Sequence, residues 1–348
     1  MIGYFAYAEG SPCPTLVLDR APLPEEEGEL LGVLTAVRQW LISRGVGSVL
    51  KIALIGRSPH PAFDLDYRFV QALPGDGSGF DLGGSCGHSI LASVVAATRL
   101  GWLRPLAPGD RVRVQVLNNG DNMVCEVDEA DRYRNRFTVH LFHQPSNRLG
   151  DLLLTGEPVS SVEAVGGRVP VSLVSMGNPY VFIDAADLRV GSRRELFAND
   201  PVLFSRMSEV RAAAASLLRW PVTGTFPKVA VVGQFTPGRL AVRAISVPSW
   251  HPTLALTGAT CLGAASAIEG TIPFRLATRA GCTPGSVEID TPGGRTNVST
   301  AISGNSPESA LHWVSISGKT VRFLGSLAVE PLHRFVGKES AECLSLLA

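Results

Sequence analysis

Hydrophobic and polar positions along this chain switch between helical and strand spacing, in an order that occurs twice. The first helix is predicted by apolar residues at helical spacing, namely Leu30, Leu31, Leu34, Val37 and Leu41. It is expected to start at Pro24, because a proline in the first turn and the glutamates after it suit the positive end of a helix. Strands are predicted over 48–56, 67–73, 111–117 and 136–142.

The second half of the chain repeats this order. Asp200 and Pro201 start a predicted helix, and the predicted strand over 227–233 resembles residues 50–56. A glycine-marked helix entry follows near Thr257. Offsets of about 170 to 177 residues connect the paired helices and strands.

This order predicts a pseudo-duplicated α+β protein with a cleft between its two halves. We expect an N-terminal domain over 1–165 and a C-terminal domain over 166–348, with the last segment packing back on the first domain. The alternative is that similar elements recur by chance, as they do in many α+β chains.

Composition narrows the expected partners. The chain has 348 residues, 45% of them hydrophobic, which is enough for a large core. Lys plus Arg and Asp plus Glu number 31 each, so no basic surplus points to nucleic acid or to an anionic membrane surface. No apolar run approaches the roughly 18 residues of a membrane span, and the N-terminus does not resemble a leader. A cytoplasmic protein with a small-molecule partner is expected.

One cysteine stands out from the rest. The six cysteines form no Cys-x-x-Cys pair, which disfavours a metal site or a disulfide framework. Cys86, however, lies in the stretch GGSCGH (83–88), directly before an apolar predicted helix. The free N–H groups and the dipole at a helix start lower the pKa of a thiol, so Cys86 is a candidate base, acid or nucleophile. The alternative is a small packing residue.

The surroundings of Cys86 resemble a known family. The segments that carry the resemblance are LKIALIG (50–56), FDLDYRFVQAL (63–73), GGSCGHSILA (83–92), GNPYVFIDAADL (177–188) and PKVAVV (227–232). They resemble the PrpF family of methylaconitate cis/trans isomerases, which shares its fold with diaminopimelate epimerase. The resemblance implies two domains, each with a β-sheet wrapped around a central helix, and a site between the N-termini of these helices.

The resemblance also implies proton transfer without a cofactor. Cys86 and Lys51 are the expected proton-transfer pair, with the base and the acid left unassigned. For Lys51 the alternative is a solvated lysine at a strand end. Epimerases of this fold use a second cysteine, but Ala255 occupies its position here and Cys261 is expected in the core. The chain is therefore predicted to be an isomerase that moves or isomerises a C=C bond beside a carboxylate.

Several residues are candidates for substrate contacts. Backbone N–H groups at the two helix starts would stabilise a dienolate. The candidates are Ser11, Gly84, Ser85, Gly87, His88, Asn178, His251, Thr257, Gly258 and Ala259. A structural role is also open for His88 as a helix cap and for His251 as a packed residue in a bend, and for Asn178 a structural role as a turn former is the favoured interpretation.

The chain departs from the family where the substrate's carboxylates are expected to bind. Residues 8–14 keep Gly10 and Ser11 but lack the family's arginine and have Cys13 in place of a lysine. Polar anchors are also lost over 291–294 and 317–320. We therefore predict a less charged substrate than methylaconitate, an unsaturated acid or enone of specialised metabolism.

The sequence is also compatible with two other functions. The same cleft could perform a cyclisation or conjugate addition, or could bind a metabolite without catalysis. The fold also suggests a homodimer.

Overall fold

The computed structural model describes residues 1–142, 146–246 and 249–335. The strands of the first half are β1 (Ile2–Ala8), β2 (Thr15–Asp19), β3 (Lys51–Arg57), β4 (Leu65–Ala72), β5 (Phe80–Asp81), β6 (Arg111–Val116), β7 (Asn122–Ala130), β8 (Arg134–Phe142) and β9 (Asn147–Arg148). The helices of the first half are α1 (Glu27–Ser43) and α2 (Gly87–Arg99).

The second half contains the same kinds of element. Its strands are β10 (Ser160–Ala164), β11 (Gly167–Met176), β12 (Asn178–Asp184), β13 (Lys228–Thr236), β14 (Arg239–Ser246), β15 (Ser249–Trp250), β16 (Ser286–Thr291), β17 (Gly294–Ile302) and β18 (Ala310–Ala328). Its helices are α3 (Arg193–Phe197), α4 (Pro201–Leu217), α5 (Leu256–Ala265) and α6 (Ile272–Ala280).

Strand pairing confirms the internal duplication. In the first half, α1 connects the parallel pair β2 and β3, and α2 connects the parallel pair β4 and β6. In the second half, α3 and α4 connect β12 to β13 in parallel, and α5 and α6 connect β14 to β16 in parallel. The registers place Thr15 beside Lys51 and Tyr180 beside Lys228. The two lysines therefore hold equivalent positions in the two halves.

Both faces of each sheet are buried, so each half has three layers. Leu16 and Ile52 face an outer core beneath α1, whereas Val17 and Ala53 face an inner core around α2. Side chains on a strand alternate between faces, which is why neighbouring residues enter different cores. The second half has a corresponding outer core beneath α4.

The central helices α2 and α5 lie inside the molecule. Every residue from Gly87 to Ala97 is buried, and so is every residue of α5. The two helices approach each other at their N-terminal ends, where a Cβ atom on Gly87 would lie 2.5 Å from a methyl carbon of Leu256. Only a glycine at position 87 permits this close approach. The N-terminal ends of α2 and α5 are therefore in contact.

Strand β18 connects the two halves. It pairs with β17 of the second half and with β1 and β8 of the first half. Within the described ranges, no helix is long and apolar enough to span a bilayer.

The structure corrects the predicted start of the first helix and contains strands that the sequence did not predict. The first helix begins at Glu27 rather than Pro24, because the Glu26 carboxylate accepts hydrogen bonds from the N–H groups of Gly28 and Glu29. Strand β7, which pairs with β6 and β8, was not predicted.

Candidate active site

Cys86 is the N-cap residue of α2. Its backbone is extended, with φ −138° and ψ 103°, and its side chain makes no capping hydrogen bond. The Cys86 carbonyl accepts hydrogen bonds from the Ile90 N–H at 3.0 Å and the Tyr67 hydroxyl at 3.2 Å. The backbone of Cys86 is thus held firmly, while its partly buried thiol lines a cavity.

Lys51 lies at the start of β3, on the strand face that carries Ala53 and Ile55 toward α2. It is only 6% exposed, so it is not the solvated strand-end lysine that the sequence left open. Its ammonium donates a hydrogen bond to the Ser11 hydroxyl at 2.7 Å, and that hydroxyl donates to the Cys13 carbonyl at 2.8 Å. Ser11 therefore positions Lys51 from behind the cavity.

Lys51 also changes the electrostatics of Cys86. Burial by itself would raise the pKa of the Cys86 thiol. The charge of Lys51 and hydrogen bonds from Ser89 outweigh burial and hold the pKa below its ordinary value. The arrangement favours a thiolate beside an ammonium group, which is the protonation state that proton abstraction requires.

The cavity lies between the two halves and takes residues from both. Lining residues from the first half are Lys51, Phe69, Gln71, Asp81, Gly84, Ser85 and Cys86. Lining residues from the second half are Asn178, Tyr180, Thr225, Phe226, Lys228, Ile245, Ser246, His251, Ala255 and Thr257. The cleft expected from the sequence is therefore present and contains both members of the expected pair.

The second half presents Ala255 where the first half presents Cys86. Ala255 is the N-cap residue of α5 and lines the cavity, whereas Cys261 is fully buried and donates to the Val174 carbonyl at 3.2 Å. Burial raises the pKa of Cys261 to about 12, so it stays protonated. The site thus has one cavity-lining thiol among the described residues.

Asn178 ties the two helix starts together. Its side-chain carbonyl accepts from the Ser85 N–H at 3.1 Å, and its amide group donates to the Ser85 carbonyl at 2.9 Å. The same amide donates to the Thr257 hydroxyl at 3.1 Å. These bonds connect β12 to the starts of both α2 and α5, so Asn178 fixes the spacing of the cleft.

Two buried histidines stack beside the cavity. The rings of His88 and His251 lie 6.1 Å apart with an angle of 17° between their planes. Burial and the charges of Lys51 and Lys319 lower the pKa of both, that of His251 to about 3, so both rings are neutral. The Thr253 N–H donates to Nδ1 of His251 at 3.1 Å, which leaves the His251 proton on Nε2. His251 lines the cavity, whereas His88 lies behind it.

The expected N–H donors are only partly available. The Ser85 N–H is bonded to Asn178, and the Ala259 N–H donates to the Ala255 carbonyl at 2.8 Å. Gly84 lines the cavity beneath the Phe226 ring, where a Cβ would lie 2.6 Å from the ring. Gly87 and Gly258 are in the first turns of their helices, where N–H groups have no partner within the helix.

Gly258 is also required for packing. Replacing it with alanine would place a Cβ 2.4 Å from the hydroxyl oxygen of Tyr180, a buried side chain. We expect Gly258→Ala to lower the free energy of unfolding by about 1–3 kcal/mol, which chemical denaturation would measure. The control must be a glycine whose backbone an alanine can also adopt, which excludes glycines with a positive φ such as Gly281 at +71°. Gly32→Ala, with open space at its Cβ, should not destabilise the protein, and equal loss in both variants would contradict the packing argument.

The sequence analysis missed half of this cavity. Lys228, Asp81, Gln71, Tyr180 and Phe226 line it but were not candidates. A signal for Lys228 was present, since PKVAVV repeats the lysine-led pattern of LKIALIG at the equivalent strand. The other four residues reach the cavity only because segments that are distant in the sequence come together, and no local sequence pattern marks them.

The architecture defines a protein with the diaminopimelate epimerase-like fold, in which two repeated halves enclose one cavity. The model of the family described as PrpF protein matches residues 41–327. The chain belongs to the PrpF family, and its enzyme class is isomerase.

Individual relatives cover most of the chain. The 3-methylitaconate isomerase of Eubacterium barkeri is 25% identical over an alignment of 261 positions, and the match covers 64% of this chain and 68% of the relative. The 4-oxalomesaconate tautomerase of Pseudomonas putida is 24% identical over an alignment of 302 positions, and the match covers 80% of this chain and 82% of the relative. The crystal structure of a methylitaconate delta-isomerase matches with a TM-score of 0.67 and 22% identity over 97% of each chain. This structural likeness shows the shared fold.

Proposed function

We propose that this protein is a cofactor-independent isomerase that moves a C=C bond by allylic proton transfer in a small unsaturated carboxylic acid. The observation that carries the proposal is the Cys86 thiol at the start of a buried helix, with its pKa lowered by the Lys51 ammonium in the same cavity. The names of the relatives from Eubacterium barkeri and Pseudomonas putida support the substrate class.

In this mechanism Cys86 is the base. Its thiolate takes the allylic proton, and the electron pair of that C–H bond enters the conjugated system to form a dienolate. Reprotonation at the far end of the dienolate then shifts the double bond. Under this proposal Lys51 remains an ammonium group that stabilises the thiolate, and Cys86 rather than Lys51 takes the proton.

The dienolate oxygen needs hydrogen-bond donors that are already in place. The Nε2–H of His251 is one, because the Thr253 N–H holds the ring in that tautomer. The N–H groups in the first turns of α2 and α5 supply others, together with the positive ends of both helix dipoles. Each such donor is worth about 3–4 kcal/mol in enzymes that stabilise an oxyanion.

The charges around the cavity favour a substrate with fewer than three carboxylates. Lys51 and Lys228 supply two positive charges, and the Asp81 carboxylate and the Cys86 thiolate balance them. No arginine is among the lining residues in the described part of the chain. A tricarboxylate such as methylaconitate would bring three charges into a site that is already close to neutral, which costs free energy on desolvation. We therefore propose a mono- or dicarboxylic substrate.

The test is deuterium incorporation. The purified protein would be incubated in D₂O with 3-methylitaconate, an unsaturated monocarboxylic acid, methylaconitate and an uncharged enone, and each compound followed by NMR. Exchange or migration with the mono- or dicarboxylic acids, and much slower reaction of methylaconitate, is the expected result. Binding without exchange for every compound would instead indicate a non-catalytic binding protein, and preference for methylaconitate would refute the charge argument.

A further inference from the structure

The internal duplication gives the cavity a second lysine, the half-buried Lys228, which takes no part in the mechanism above. Lys228 begins β13 as Lys51 begins β3, and each lysine faces the inner core of its own half. The inward direction follows from strand alternation, since Ala230 and Val232 on the same face belong to the inner core. Lys228 therefore approaches the cavity from the opposite half to Lys51.

The contacts of Lys228 place it close to the turn that carries Cys86. Its ammonium lies 4.8 Å from the centre of the Phe226 ring. That ring packs on Gly84, two residues before Cys86, at a distance that excludes any side chain there. The charges of Asp81 and Cys86 both act on Lys228, and the Thr225 hydroxyl donates a hydrogen bond to Asp81.

The reaction also needs a proton donor at the far end of the dienolate. A double-bond shift removes a proton from one carbon and delivers one to a carbon two bonds further along. In the two-cysteine arrangement of the fold the second half would supply a thiol, but here Ala255 holds that position and cannot donate a proton. Lys228 is the group of the second half that can transfer a proton and that lines the cavity from a strand equivalent to that of Lys51.

We propose that Lys228 is the second proton-transfer residue of this site, and that its ammonium protonates the far end of the dienolate formed by Cys86. This inference rests on the proposed isomerase function. Under this proposal a residue of the first half removes a proton from the substrate, and a residue of the second half supplies one.

The proton balance closes over one turnover. Cys86 thiolate becomes a thiol when it takes the allylic proton, and the Lys228 ammonium becomes a neutral amine when its N–H bond breaks and the new C–H bond forms. Cys86 then loses a proton to water and Lys228 gains one, which restores both groups. Burial lowers the pKa of Lys228 to about 8, so the residue is largely protonated at neutral pH and can give up its proton readily.

The experiment compares exchange with isomer formation in three proteins: the wild type, Lys228→Met and Lys228→Arg. Each is incubated in D₂O with whichever panel acid the wild type converts. Loss of the allylic hydrogen and appearance of the isomer are followed separately by NMR. Lys228→Arg is the matched control, because arginine keeps the positive charge but does not release a proton in proteins.

We expect both variants to retain exchange, since Cys86 can still take the proton and return a deuteron to the same carbon. Isomer formation should fall by about 10²- to 10⁴-fold in both, the usual contribution of a positioned general acid. In the wild type, isomer formation should also decline as the pH rises through about 8, because the donor loses its proton there.

The competing role for Lys228 is attraction of a carboxylate by charge alone. In that case Lys228→Arg would form isomer at nearly the wild-type rate, and Lys228→Met would lose exchange and isomer formation together through a higher KM. Either result overturns the inference, as does wild-type behaviour of both variants. A wild type that neither exchanges nor isomerises any acid would instead refute the proposed function. Thermal unfolding of each variant identifies any loss that reflects misfolding.

Discussion

Replacing Cys86 with alanine should lower the rate of double-bond migration by about 10²- to 10⁴-fold, and should abolish deuterium exchange at the allylic carbon. The reason is that Cys86 is the cavity-lining thiol whose pKa lies below its ordinary value, whereas burial raises the pKa of Cys261 to about 12. NMR of the reacting substrate in D₂O measures both rates in one experiment.

Cys261→Ala is the matched control for this prediction. It removes a buried thiol from the central helix of the other half and should leave both rates close to those of the wild type, with some loss of stability. Exchange that persists in Cys86→Ala would show that another group is the base. Loss of exchange in Cys261→Ala, with the fold intact, would show that the second half does contribute a reactive thiol.

Replacing Lys51 with methionine should raise the pKa of the Cys86 thiol and lower turnover at neutral pH by about 10²-fold. Burial alone raises the pKa of this thiol, and the Lys51 charge is the largest influence that opposes it. Without that charge the thiolate forms only at higher pH, so its reaction with iodoacetamide at pH 7 should slow and its pH profile should move to higher pH. The alkylation profile, followed by mass spectrometry of the Cys86 peptide, measures this shift directly.

Comparing Ser11→Ala with Lys51→Met distinguishes the effect of the Lys51 charge from the effect of the position of its ammonium group. Ser11 accepts the Lys51 hydrogen bond at 2.7 Å but does not line the cavity, so its loss should loosen the lysine while keeping the ammonium charge. The shift of the Cys86 profile should therefore be smaller in Ser11→Ala. An unchanged alkylation profile in Lys51→Met would contradict the assignment of Lys51 as the group that stabilises the thiolate.

The fold was predictable where local pattern and internal repetition agree. The helix at Pro201, the helix entry near Thr257 and the two lysine-led strands all occur in the structure in their predicted order. Helix α1 was predicted to start too early, because proline and glutamates mark the first turn only approximately while the Glu26 carboxylate makes the actual cap. Strand β18 has 19 residues and pairs with strands from both ends of the chain, a feature with no local signal.

Two residues of the candidate site were predictable because their chemical type occurs together with a local backbone pattern. A cysteine between glycines before an apolar helix identifies Cys86, and the lysine-led strand identifies Lys51 once the family pattern is considered. His88 and His251 could not be assigned from sequence, because their stacking depends on α2 meeting the segment before α5. Asn178 looked like a turn former, but it hydrogen-bonds to residues 93 positions earlier and 79 positions later in the chain.

Spacing and residue identity along the chain are enough to give the duplicated order of elements, the cysteine at the start of an apolar helix (Cys86) and the alanine at position 255. These are local properties: spacing, glycine content and residue identity. Which charged groups come close together depends instead on the three-dimensional fold. Lys51 and Lys228 both stand at strand starts, where a lysine is ordinarily solvated, and burial of both strand faces directs them into one cavity instead. Electrostatic coupling depends on distance through space, so the lowered pKa of Cys86 arises only when the halves close around that cavity.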